Sequence, residues 1–297
     1  MTTYCIKQCL EIFTSRFDQS GLFYGHGTDN PGDEAFYLVF GALGLDYQAY
    51  EDLLDRRVSS LEYDRLEKLA EQRIRARIPL AYLLGEAWFA GLPFIVNSDV
   101  LIPRSPLAEL ILDRFSGLLR TRPQKILDLC TGSGCIGIAC AVQFPESQVV
   151  LSDISTAALD IARQNIRRHE LTARVNCCES DLFEEISGHY DLIISNPPYV
   201  SAEEVVQLPE EYQKEPVLGL LSADNGLAIP LQILRLAANY LSPQGVLIME
   251  VGYSQESLQE RLPEVPFLWL DFAEGGEGVL LLSRQQLIDY NKYFLTS

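Results

Sequence analysis

The sequence predicts an α/β protein in which a doubly wound, seven-stranded sheet follows a smaller helical region. Two observations support this fold class. From residue 125 onward, short apolar runs alternate with helix-like patterns, as they do in a parallel sheet covered by helices. Before residue 98, apolar residues recur at helical spacing, and Trp88–Val96 has the pattern of a β-hairpin. We therefore expect a helical domain at 1–98, with the hairpin as its linker, and a sheet domain at 99–297.

Four helices are predicted ahead of the sheet. They lie at 4–18, at Asp33–Leu43, from Ser59 to about Ile78, and from about Pro106 to Leu119. The third opens with a capping box, because Ser59 is followed three residues later by Glu62.

The strands are predicted from apolar runs bounded by turn residues. They are Lys125–Leu129, Gln148–Asp153, Arg174–Cys178, Tyr190–Ser195, Gly245–Val251, Pro266–Phe272 and Gly278–Ser283. Only Ala273–Glu277 separates the last two, which is too short for a crossover helix, so that pair is expected to be antiparallel.

Composition and charge limit the function. The chain has 47% hydrophobic residues and a net charge of −18, which argues against a nucleic-acid groove and favours a basic partner. An odd number of cysteines, seven, and only three histidines indicate reduced thiols in a cytoplasm and no metal site. No apolar run approaches the ~18 residues of a membrane span. The arginine clusters at 73–77 and 163–168 are interpreted as solvated helix faces.

The most informative stretch is Ser195–Ser201, which ends a buried-type strand with Asn-Pro-Pro-Tyr. Two prolines cannot continue a strand ladder, so the Asn196 side chain and the Pro197 carbonyl are left at the strand's carboxyl end. In open α/β sheets, ligands bind at that end. The two carbonyl oxygens suit a planar –NH2 group, and Tyr199 offers a ring face to the group attached to it. A simple proline turn is the alternative interpretation.

A glycine turn follows the first strand, with Gly132, Gly134 and Gly137 in the dinucleotide-binding spacing. Asp153 lies 21 residues after Gly132, where an acid that binds ribose hydroxyls is expected. NAD and S-adenosylmethionine both carry that ribose, so the turn predicts a nucleoside-type ligand without naming it.

Two acidic residues favour the methyl donor over NAD. Asp128, before the turn, would face an ammonium group, which NAD lacks. Asp181, after the third strand, would accept from an adenine amino group while Phe183 packs on the ring. The alternatives are a turn cap for Asp128 and an Asx-turn for Asp181.

These motifs, in this order, resemble the class I S-adenosylmethionine-dependent methyltransferases of the N(5)-glutamine group, which have a seven-stranded Rossmann-like methyltransferase sheet. Leu101–Arg104 also resembles that group. The continuation Pro103–Glu109 departs from the release-factor members, and together with Phe23–Asn30 it is similar to the branch that modifies large-subunit ribosomal protein L3. Cys130 is a further departure from those members, which usually have glycine there.

The resemblance implies transfer of a methyl group to a glutamine amide nitrogen of ribosomal protein L3. The catalytic residues it implies are Asn196, Pro197, Pro198 and Tyr199. The cofactor-binding residues it implies are Asp128, Cys130, Thr131, Gly132, Ser133, Gly134, Asp153, Asp181, Leu182, Phe183 and Asn196. Three alternatives stay open: a release-factor glutamine methyltransferase, an adenine-N6 methyltransferase of nucleic acid, and a non-enzymatic assembly factor for a basic ribosomal protein.

Three further features have two interpretations each. The glutamate-rich stretch Ser201–Asn225 is expected to form an acidic wall that faces the substrate, or else a solvated connection. His26 either contacts the substrate or caps the second helix, and we favour the cap. Arg104 has two interpretations as well. It could hold the 196–199 loop or the substrate backbone, or it could form a salt bridge with Glu109, and we favour the salt bridge. Residues 1–98 are expected to select the substrate.

Overall fold

The computed structural model describes residues 4–273 and 275–296. The N-terminal region contains five helices and a two-stranded hairpin. They are α1 Ile6–Asp18, α2 Pro31–Leu43, α3 Tyr50–Leu53, α4 Ser60–Ala76, α5 Leu80–Leu84, β1 Glu86–Phe89 and β2 Leu92–Ile95. The three predicted helices and the hairpin are confirmed, and α3 and α5 are additional short helices.

Local chemistry explains where these helices begin. The Ser59 hydroxyl accepts from the Glu62 N–H at 3.3 Å, and the Glu62 carboxylate accepts from the Ser59 N–H at 2.8 Å, so the predicted capping box starts α4. The Asn30 side chain accepts from the Gly32 and Asp33 N–H groups at the start of α2. The expectation that His26 caps this helix is therefore wrong, because Asn30 occupies the N-cap position.

The sheet has the seven predicted strands. They are β3 Lys125–Leu129, β4 Gln148–Asp153, β5 Val175–Glu179, β6 Tyr190–Ser195, β7 Leu241–Glu250, β8 Leu268–Leu270 and β9 Val279–Ser283. Their order is β5-β4-β3-β6-β7-β9-β8, with β3 to β7 parallel and β9 antiparallel to both β7 and β8. The predicted antiparallel pairing of the last two strands is confirmed. Of their connection, Glu274 lies outside the described residues.

Helices surround the sheet. They are α6 Leu107–Leu112, α7 Cys135–Gln143, α8 Thr156–Arg168, α9 Ala202–Gln207, α10 Ala228–Leu236, α11 Gln255–Arg261, α12 Arg284–Asp289 and α13 Asn291–Thr296. Helix α6 is shorter than the predicted Pro106–Leu119, because Arg114 and Phe115 adopt left-handed backbone angles, with φ of 56° and 52°. Phe115 turns into the core instead and stacks on Phe144.

Each face of the sheet has its own apolar core, as alternation along a strand requires. In β3, Ile126 packs in one core and Leu127 in the other. The hairpin residues Phe89 and Phe94 are buried in the first of these cores. The hairpin thus packs directly against the sheet. Along the described ranges, no helix is both long and apolar enough to cross a membrane.

The chain reverses direction across the sheet between β3 and β6. From β3 it runs outward to β4 and β5, and it then returns to place β6 on the other side of β3. Such a reversal opens a crevice at the carboxyl ends of the two central strands. The glycine turn follows β3 and the Asn-Pro-Pro-Tyr sequence follows β6, so both motifs lie at this crevice.

Candidate active site

A cavity of about 420 Å³ lies at the carboxyl ends of β3 to β6. Nine residues predicted from the sequence line it: Cys130, Thr131, Gly132, Ser133, Asp153, Asp181, Leu182, Asn196 and Pro198. We call it the donor cavity. The other predicted residues, Asp128, Gly134, Phe183, Pro197 and Tyr199, do not line it.

The glycine turn forms one wall of the donor cavity. Gly132 and Gly134 have φ values of 54° and 83°, which glycine adopts at little cost, and Cys130 adopts 56°. The Gly132 N–H donates to Asp153 at 2.8 Å, and the Ser155 N–H donates to the other Asp153 oxygen at 2.9 Å. Burial raises the pKa of Asp153. Its carboxylate is thus oriented at the cavity wall, with lone pairs available to ligand hydroxyls.

Asp128 lies beneath the turn and supports it. It is fully buried, and one of its oxygens accepts from the Thr131 hydroxyl and the Gly137 N–H. Its other oxygen is buried without a hydrogen-bond partner. Burial raises the pKa of Asp128 to about 7. In this position the carboxylate organises the turn from below.

Phe183 also lies outside the cavity. Its ring is 2% exposed and stacks on Tyr240, with ring centroids 4.6 Å apart. Its neighbours Asp181 and Leu182 do line the cavity, as predicted. Leu182, with φ of 48°, marks the sharp turn that separates Phe183 from the wall.

A second cavity, of about 710 Å³, adjoins the donor cavity at the end of β6. Its wall includes Pro197 and Tyr199, and Asn196 lines both cavities. We call it the acceptor cavity. The Asn-Pro-Pro-Tyr sequence therefore forms part of the partition between the two, together with Leu101, Arg104, Ser105 and Gly219, which also line both.

Tyr199 is held by a buried polar network that the sequence analysis did not identify. Its hydroxyl donates to Glu250 at 2.9 Å, and the other Glu250 oxygen accepts from the Ser105 hydroxyl. Burial raises the pKa of Glu250 to about 7. The sequence contained one signal for Glu250, which is an acidic residue at the carboxyl end of the apolar strand β7. In the structure, that end of β7 lies beside the end of β6.

Arg104 forms a different salt bridge from the one expected. Its guanidinium binds both Glu215 oxygens, at 2.6 and 2.5 Å, and lies 4.9 Å from the centre of the Tyr212 ring. Glu109 instead accepts from the Ala273 N–H. Glu215 is 4% exposed and also accepts from the Ile102 N–H. The partner of Arg104 is thus 111 residues away in sequence.

His26 is buried beside the same carboxylate. Its Nε2 atom lies 3.6 Å from a Glu215 oxygen, too far for a hydrogen bond, and its ring centroid is 4.5 Å from that of Tyr212. Burial raises the pKa of Glu215, but the neighbouring His26 and Arg104 outweigh it and hold that pKa below its usual value. The loop around His26 thus docks on the segment that carries Glu215.

Arg73 is not part of a solvated face, contrary to the expectation. It is 1% exposed, and it donates to Glu34, to Glu211 at 3.0 Å and to the Phe23 carbonyl at 2.8 Å. Glu211 is itself 2% exposed. A buried ion pair therefore joins α4 to the segment after β6.

The expected acidic wall is only partly present. Of the five glutamates in 201–225, Glu211 and Glu215 point inward to arginines, and Glu203, Glu204 and Glu210 are exposed. The stretch is also more regular than predicted, since Ser201 and Glu204 form a capping box that starts α9. Buried charge fixes this segment against the N-terminal region.

The fold and the paired cavities at the switch point are those expected of a class I S-adenosylmethionine-dependent methyltransferase. The family model "Methyltransferase small domain" matches residues 108–211. The chain is 41% identical over 294 residues to the ribosomal protein uL3 glutamine methyltransferase of Francisella tularensis subsp. tularensis (strain SCHU S4), covering 98% of this chain and 94% of that protein. It is 42% identical to the enzyme of the same name from Neisseria gonorrhoeae (strain ATCC 700825 / FA 1090), covering 95% of each. The chain belongs to the ribosomal protein uL3 glutamine methyltransferase family.

Proposed function

We propose that this protein transfers a methyl group from S-adenosylmethionine to the side-chain amide nitrogen of a glutamine in large-subunit ribosomal protein L3 (uL3). The position of Asn196 is the main support for the proposal, because this residue lines both the donor cavity and the acceptor cavity. A group held by its side chain in the acceptor cavity faces the donor cavity directly. The names of the two relatives supply the substrate.

The donor cavity has the chemistry that S-adenosylmethionine requires. Its glycine turn leaves the backbone open to close approach, and Asp153 offers an acceptor for ribose hydroxyls. Asp181 and Leu182 line the cavity at the end of β5, where adenine would be recognised. When bound, S-adenosylmethionine supplies a methyl carbon on a positively charged sulfur, which keeps the bonding electron pair after transfer.

The partition residues would hold the acceptor nitrogen. A glutamine amide is a weak nucleophile, because its lone pair is delocalised into the carbonyl. In our proposal, its two N–H groups donate to the Asn196 side-chain oxygen and the Pro197 carbonyl, and the Tyr199 ring stacks on the amide plane. These contacts orient the nitrogen and stabilise the positive charge that develops on it. One N–H proton then leaves the methylated nitrogen for water. Pro198 keeps the strand end rigid.

The charge distribution supports a basic protein partner. The net charge is −18, and Arg104 is the one cationic side chain along the acceptor cavity within the described ranges, where Glu215 neutralises it. An adenine-N6 methyltransferase of nucleic acid needs a basic surface for the phosphates. The acceptor cavity thus favours uL3 over nucleic acid, and the relatives' names favour uL3 over release factors. Seven free cysteines and a ribosomal substrate support a cytoplasmic location.

We also propose that residues 1–98 contribute to substrate selection, while 99–297 carry the methyl transfer. The loop Phe23–Asn30 lies against the segment that borders the acceptor cavity, and Phe23 is 42% exposed at that junction. Both Phe23 and His26 contact Tyr212, which lines the acceptor cavity, so the loop supports that side of the cavity wall. The loop meets the segment at its first residue, through the Phe23 N–H, which donates to Glu211 at 3.1 Å, and near its middle, through His26.

The direct test is methyl transfer with purified components. The protein, tritium-labelled S-adenosylmethionine and purified uL3 should give labelled uL3, and mass spectrometry should find one methyl group on a glutamine. Parallel reactions with a release factor and with single-stranded DNA test the two alternatives. Asn196→Ala serves as the control for contaminating activity. Label in the release factor or the DNA, with none in uL3, would overturn the assignment, and no label in any acceptor would favour the assembly factor.

A further inference from the structure

Glu250 is a buried acid to which the methyl-transfer chemistry assigns no role. It ends β7, next to β6 in the sheet, and it lines the acceptor cavity with Asn196 and Tyr199. It is 4% exposed, and both of its oxygens are hydrogen-bonded, to Tyr199 and to Ser105. Keeping a carboxyl group in such a place costs free energy, so it calls for an explanation.

Tyr199 is fixed at both ends by this neighbourhood. Its hydroxyl is bound to Glu250 at 2.9 Å, and its backbone carbonyl accepts from the Ser254 hydroxyl at 2.9 Å. Gly252 leaves the space for the ring, since a Cβ atom there would lie 2.7 Å from the ring carbon Cε2. These contacts hold the ring in the orientation that the structure shows.

We infer that Glu250 is a positioning residue for the methyl transfer, which acts through the Tyr199 hydroxyl to hold the ring that orients the acceptor amide. This inference rests on the proposed function and adds a residue to it. Ser105 completes this hydrogen-bond network, because its hydroxyl donates to the second Glu250 oxygen and so fixes the direction of the first. The raised pKa of Glu250 agrees with a carboxyl group that is kept in a buried site for its geometry.

A double-mutant cycle tests whether Glu250 acts through Tyr199. At pH 8, where the Glu250 carboxyl group is ionised, Tyr199→Phe and Glu250→Ala should each lower kcat on uL3 by on the order of tenfold to a hundredfold, the range expected for losing one hydrogen bond to a charged partner. If the two residues act as one unit, the double variant should be no slower than the slower single variant. Glu250→Gln, which keeps the shape and one acceptor oxygen, should restore most of kcat.

Two controls separate positioning from general destabilisation. Tyr190→Phe removes a tyrosine hydroxyl that donates to the Ser187 carbonyl at the opposite end of β6, and its kcat should equal that of the wild type. The affinity for S-adenosylmethionine, measured by calorimetry, should be unchanged in Tyr199→Phe, in both Glu250 variants and in the double variant, because Glu250 and Tyr199 do not line the donor cavity.

The outcomes are distinct. Multiplying losses in the double variant, or full activity of Tyr199→Phe, would overturn the inference while leaving the proposed function in place. Weakened donor binding in Glu250→Ala would show a structural role only, and would overturn it too. Absence of uL3 methylation by the wild type would instead refute the proposed function. Ser105→Ala should show a smaller loss of kcat than Glu250→Ala.

Discussion

Glu215→Gln tests the buried contact between the N-terminal region and the active site. The substitution keeps the size of the side chain but removes the charge that neutralises Arg104. Removing one partner of a buried ion pair typically costs about 3–5 kcal/mol. Here the Arg104 side chain is 24% exposed, and glutamine keeps one acceptor oxygen. We therefore expect a loss of about 2–3 kcal/mol, below the full range for buried pairs.

That loss should appear first as local opening. Glu215 anchors the segment that continues through Pro216 to Leu221, and this segment lines both cavities. Amide hydrogen exchange at 211–221 should accelerate on the order of thirtyfold or more, while exchange in β3 and β6 changes little. Methylation of uL3 should fall with it, because the opened segment no longer closes the cavities.

The matched control is Glu109→Gln, which removes the carboxylate that sequence proximity pairs with Arg104. Glu109, which is half-buried, instead accepts from the exposed Ala273 N–H, so exchange at 211–221 should stay at the wild-type rate. Equal exchange in Glu215→Gln and the wild type would refute the role of the Arg104–Glu215 pair. Faster exchange at 211–221 in Glu109→Gln, but not in Glu215→Gln, would support the Arg104–Glu109 salt bridge expected from the sequence.

Four further predictions concern the site. Asn196→Ala should lower turnover roughly a hundredfold or more, which is the scale of losing one oriented polar group, while calorimetry should find the affinity for S-adenosylmethionine nearly intact. Unchanged turnover would remove Asn196 from the mechanism. Asp153→Ala should weaken S-adenosylmethionine binding by about 1.5–3 kcal/mol, since an ionised acceptor is lost, and equal affinity by calorimetry would place the ribose acid elsewhere. Burial raises the pKa of Glu250 from 4.5 to about 7, so the wild-type protein loses stability as pH rises from the lower value through 7, where the buried carboxyl group must ionise. In urea unfolding, the free energy of unfolding of Glu250→Gln should therefore gain about 2 kcal/mol relative to that of the wild type between pH 5 and pH 8. A difference that stays constant with pH would contradict the raised pKa. Association with uL3, followed by stopped flow, should slow as salt rises, and an on-rate indifferent to salt would leave the net charge without a role in encounter.

The sequence by itself determined the features that depend on local interactions between neighbouring residues. The Asn-Pro-Pro-Tyr strand end, the glycine turn and the Ser59 capping box each depend on residues close together in the chain, and each forms where predicted. Apolar runs bounded by turns likewise placed all seven strands. Helix α6 is the exception, because Phe115 leaves the helical path to fill the core, and only the packed protein defines that core.

The fate of the charged residues was decided by the tertiary structure. Arg73 and Glu211 are 138 residues apart, and nothing near either one distinguishes it from the exposed charges around it. A charge can be buried only when its partner is brought to it by the fold, so its environment depends on long-range pairing. The same reason explains why Glu250 escaped the sequence analysis, since its role depends on β7 lying beside β6 and on Tyr199 facing it there.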